Sequence, residues 1–113
     1  MLGASGIGSE TLKNLILPGI KEFTIVDEKN VTRRDLGQNF FVSAADLGKP
    51  HAEVMTANLQ DLNPDTLGHA LVMSVDDKIK EEAEWSKDYD LIIGSNLNNE
   101  QAAKVSNKCR ENG

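Results

Sequence analysis

Three glycines stand within the first eight residues, at Gly3, Gly6 and Gly8, and a helix-forming run, SETLKNLIL, follows them without a break. Glycines ahead of a helix let the backbone turn sharply and approach whatever lies opposite. The helix start adds unpaired N–H groups and the positive end of a dipole. Such a loop belongs at the carboxyl end of a β-strand. Only Met1 and Leu2 precede it, so they are expected to be the last residues of a first strand.

Along the chain, helical and strand patterns alternate. Residues 8–17 read as a helix with Leu12, Leu15 and Ile16 on one face, stopped by Pro18 and Gly19. Residues 20–26 read as a strand rich in β-branched and aromatic side chains. Residues 27–48 are polar and turn-rich, apart from Phe40, Phe41 and Val42. Residues 49–62 read as a helix with Ala52, Met55, Leu59 and Leu62 on its apolar stripe, and Asn63-Pro64-Asp65 breaks it. A strand is expected over 70–75, one or two charged helical turns over 76–87, and a buried strand over 89–94, YDLIIG. Residues 98–110 read as an amphipathic helix with Ala102, Val105, Ser106 and Cys109 facing inward.

This order predicts an α/β fold: a Rossmann-like, doubly wound, mostly parallel sheet whose first strand is largely missing. In such sheets that strand is central. Residues 1–113 are therefore expected to be a partial domain, truncated at both ends, that does not fold well alone. Composition narrows the function classes. The formal charge is −6, and no basic run is present to neutralise phosphates, which argues against a nucleic-acid surface. No apolar stretch approaches the roughly 20 residues of a membrane helix. One cysteine and no signal-peptide pattern at residues 1–8 lead to an expected cytoplasmic or nuclear location.

The glycine spacing is G-x-x-G-x-G, which differs from the G-x-G-x-x-G of dinucleotide folds. Asp27 ends the next strand 19 residues after Gly8, where an acid can accept hydrogen bonds from ribose hydroxyls. Gly3, Gly6, Gly8 and Asp27 are thus candidates for an adenine-nucleotide site. The competing interpretation is a tight strand-to-helix turn and a turn aspartate with no ligand.

With Asp27 in place, GASGIGSETLKNLILPGIKEFTIVDEKNVTRRDLGQNFFV followed by LGKPHAEV resembles the adenylation domain of ubiquitin-like-protein activating enzymes. That fold is shared with the bacterial adenylating proteins of thiamine and molybdopterin synthesis, the ThiF/MoeB type. The family activates a C-terminal glycine carboxylate with Mg-ATP. The resemblance covers nearly the whole chain and is weakest over 67–88. It implies a set of groups around triphosphate and metal, and this sequence departs from that set. Asp27 matches the acid for ribose. The family's second Asp is Lys29 here, its Asn is Asp35, its Arg is Gln38 and its Gln is Asn39. The catalytic Lys falls on His51, with Lys49 two positions earlier, and the metal-site Asp falls on Leu97.

These departures are similar to those of the inactive halves of two-subunit activating enzymes, most of all that of the neddylation enzyme, through LKNLILPGI, the NFF at 39–41 and Leu97. The resemblance implies a non-catalytic regulatory subunit with no catalytic residue, no metal ligand and no cofactor of its own. ATP and magnesium are expected at the site of a catalytic adenylating partner, with the ubiquitin-like modifier engaged indirectly and no nucleic acid or membrane involved. An arginine that such subunits lend to the partner's ATP lies in a segment with no counterpart in these residues. The inactive halves of SUMO- or ubiquitin-activating enzymes, an active adenylating enzyme with unusual residues, and a nicotinamide-dependent Rossmann oxidoreductase are the alternatives.

The remaining residues are weighed singly. Cys109 reads as a buried structural thiol with no flanking His. His51 reads as a solvent-facing helix residue and His69 as the opening of a strand. Phe40, Phe41 and Val42 are either core or a partner interface, where aromatic anchors concentrate binding energy. Trp85 is expected to pack the charged connection onto the sheet, and no His/Cys cluster has metal-ligand spacing.

Overall fold

A computed structural model describes residues 1–3, 6–38, 42–80, 89–95 and 97–112. In chain order the elements are α1 (Gly6–Ile16), β1 (Glu22–Val26), α2 (Arg33–Gln38), a 3₁₀ turn (Ala44–Asp46), α3 (His51–Gln60), β2 (Leu67–Leu71), α4 (Val75–Lys80) and α5 (Asn99–Asn112). β1 and β2 pair in parallel, from Glu22 opposite Leu67 to Val26 opposite Leu71. On the other side of β1, Leu2 forms parallel bridges with both Val26 and Gly94. The spatial order is therefore β2, β1, Leu2, Gly94, and the direction of winding reverses between Leu2 and Gly94. This is the switch point of a doubly wound sheet.

Alternation along β1 divides the core in two. Phe23 and Ile25 enter a cluster with Leu12 and Ile16 of α1 and with Ala52, Val54, Met55 and Leu59 of α3. Val26 enters a second cluster with Leu2, Ile79 of α4 and Val105 of α5. Helices thus cover both faces, as a parallel sheet requires. Gly68 sits inside β2 because the Phe23 ring and the Thr56 methyl group press onto it, where a Cβ would meet them at 2.6 and 2.9 Å.

Local chemistry sets the element ends. Pro18 follows α1, and Gly19 takes φ +105°, a left-handed conformation that suits glycine. Its N–H donates to the Ile16 carbonyl at 3.0 Å, and the Asn63 amide donates to the same carbonyl at 3.1 Å. α2 starts with Thr32, whose N–H and hydroxyl donate to Asp35 at 2.7 and 3.0 Å. The Ser74 hydroxyl accepts the Asp77 N–H at the start of α4. At α5, Asn98 and Gln101 each accept the other's backbone N–H, a reciprocal capping box. Before α3, Asp46 accepts the Ser43 N–H and hydroxyl. These bonds, the backbone one foremost, hold its carboxyl below the usual carboxylate range.

The structure alters several expectations. β2 spans 67–71 rather than 70–75, and Val75 opens α4 because Ser74 caps it. Residues 89–94 form no extended ladder. They carry one bridge, from Gly94 to Leu2, and Leu91 is 62% exposed. Leu62 lies past the end of α3 and is exposed. On α5 Val105 is buried and Cys109 half-buried, but Ala102 and Ser106 face solvent while Gln101 and Lys108 are half-buried. α2 and the 3₁₀ turn occupy a stretch expected to be irregular. Val42 packs in the larger core cluster. Phe40, Phe41 and Trp85 lie outside the described residues.

Thr66 is fully buried at the entrance to β2, and its hydroxyl donates to the Ile20 carbonyl at 2.7 Å. Thr66→Val keeps the shape and removes the donor. Urea unfolding of the full-length protein should show a loss of about 1–3 kcal/mol, with Thr66→Ser nearer the parent.

Candidate functional site

The carboxyl ends of the strands meet where the glycine turn begins. Leu2 donates its N–H to the Ile93 carbonyl at 2.8 Å, and its own carbonyl accepts the Ser95 N–H at 2.9 Å. The Gly3 N–H donates to the Val26 carbonyl at 2.8 Å. Gly3, Asp27 and Ser95 therefore lie side by side at the switch point, where open α/β sheets place their ligands.

Gly3 has φ +86°, so the turn itself demands a residue without a Cβ. A Cβ there would also stand 2.5 Å from the Ser95 carbonyl oxygen. At Gly8, a Cβ would meet the Ser95 hydroxyl at 2.7 Å, the Ser95 Cβ at 2.8 Å and the Met1 sulfur at 2.9 Å. The space that these two glycines leave open is thus filled by the chain's own Ser95 and Met1. The contact partner, Ser95, is not apparent from the glycine spacing. Its sequence signal is its place directly after the segment that ends at Gly94. Of Gly6, only its place at the start of α1 is described.

Asp27 directly follows β1 and is buried. Its Oδ1 accepts the Lys29 N–H at 2.8 Å, and its Oδ2 faces His51 Nδ1 at 3.8 Å. His51 is not solvent-facing: it is 5% exposed. The cause is a clamp between two loop segments. Val31 donates to the Lys49 carbonyl, Gly48 to that of Val31 and His51 to that of Lys29, each at 2.9 Å. Pairing of Asn30 with Pro50 completes it. The clamp turns the first residue of α3 onto the end of β1. Lys49 precedes α3, is 60% exposed and lies 3.9 Å from Asp46. His69 lies within β2 rather than opening it, with Nε2 3.3 Å from the Glu22 carboxylate.

The described positions that the resemblance assigns to metal and phosphate carry other groups. Leu97, where the resemblance implies a metal-ligating Asp, packs with the apolar cluster of Leu2, Val26 and Val105, its Cδ1 2.5 Å from where a Gly94 Cβ would lie. Asp35 is engaged by Thr32. Among the described residues no group of three His, Cys, Asp or Glu side chains could hold a metal ion. Cys109 is half-buried on α5, beside the apolar cluster on that face.

The glycine contacts separate two kinds of obstruction. At Gly8 the obstacle is mostly the Ser95 side chain, whereas at Gly3 it is the Ser95 carbonyl together with φ. Thermal melts should find Gly3→Ala and Gly8→Ala both destabilised. Ser95→Gly should recover about 1 kcal/mol or more of the Gly8→Ala loss and little of the Gly3→Ala loss.

Comparison with known proteins agrees with this arrangement. The profile of the ThiF family matches residues 1–113. The chain is 40% identical over 97 residues to the NEDD8-activating enzyme E1 regulatory subunit of Danio rerio, covering 86% of this chain and 18% of that protein. It is 39% identical over 111 residues to the corresponding subunit of Drosophila melanogaster, covering 98% and 21%. The chain thus spans about a fifth of the length of these relatives. Among solved structures, E. coli MccB with ATP aligns at a TM-score of 0.62 and 25% identity, over 66% of this chain and 22% of that one. The chain belongs to the ThiF family.

Proposed function

We propose that the chain is part of the non-catalytic regulatory subunit of a heterodimeric activating enzyme of protein neddylation. In that role it supports ATP-dependent adenylation and thioester transfer of a ubiquitin-like modifier by a catalytic partner, which holds ATP and magnesium. The pathway is supported by the likeness to NEDD8-activating regulatory subunits over most of this chain. The observation that carries the non-catalytic role is Leu97, a half-buried apolar side chain packed against the smaller core cluster where an adenylating site needs a carboxylate for its metal. His51 stands in place of the phosphate-facing cation, and Asp27 and His51 face each other. Losing one clamping donor typically costs about 10²–10³ in rate, so the combined losses leave no useful adenylation. Gly3, Gly6, Gly8 and Asp27 are on this account the remains of a nucleotide site.

The direct test is to tag the full-length protein in its own cells and identify its stoichiometric partner by mass spectrometry. The expected partner carries an intact Asn–Arg–Lys–Asp adenylation set and a downstream catalytic cysteine. A protein that purifies alone, or only with itself, contradicts the proposal. A second expectation concerns repair. The double variant Gln38→Arg with His51→Lys should still show no ATP–pyrophosphate exchange without its partner, because position 97 remains Leu. Robust exchange would mean that the site retains its chemistry.

A further inference from the structure

We draw no further inference here: the strongest candidate, the cleft between β1 and residues 89–93 that Met1, Leu12, Leu15, Ile20 and Leu91 help to line, carries nothing because nothing in the structure shows what covers it.

Discussion

The pairing of Leu2 on both sides holds the sheet together. Its bridges to Val26 and to Gly94 are the links that join the β1–β2 pair to the 89–95 segment. They also bring the glycine turn, the end of β1 and Ser95 to one place, because each lies one residue past a paired position. The two core clusters follow from the same geometry. Side chains alternate across β1, so Phe23 and Ile25 serve one layer of helices and Val26 the other.

This geometry gives the glycine pattern two possible causes. A ligand that needs close backbone approach selects glycines, and so does a neighbouring segment of the same chain. Here Ser95 approaches Gly3 and Gly8 closely enough that neither position tolerates a Cβ without a shift. The pattern therefore persists whether or not a phosphate is bound. Contacts within the chain are thus enough to account for the glycines of this loop. A motif read without its surroundings carries less functional information than its residues suggest.

Elements whose signal is periodic and local were legible in the sequence: α1, β1, α3 and α5 lie where spacing and breaker residues put them. The 89–94 segment has the composition of a buried strand, but it pairs at a single bridge, Gly94 with Leu2, and composition alone does not specify the length of a ladder. Small residues mark the wrong face of α5. Gln101 and Lys108 turn toward the protein beside Val105, since long side chains reach and cover apolar surface with their stems. Within the candidate site, Asp27 was legible because it ends a strand at a fixed distance from the loop. The burial of His51 was not, because it depends on the pairing of 30–31 with 48–50, two loop segments without periodic signal.

The replacements at the site are coherent with one another in physical terms. A carboxylate buried at a strand end costs several kcal/mol unless donors or a cation face it. In a working nucleotide site, ligand hydroxyls and bound water supply part of that environment. In this chain, Lys29 N–H and the His51 ring stand at the two oxygens of Asp27. The metal position shows the complementary solution. Instead of a carboxylate that would need an ion, Leu97 joins an apolar cluster that needs none. Asp35 follows the first rule again, engaged by the N–H and hydroxyl of Thr32 at the start of α2. Among the described changed positions, Asp35 and His51 thus have partners within the chain, and Leu97 packs against an apolar cluster.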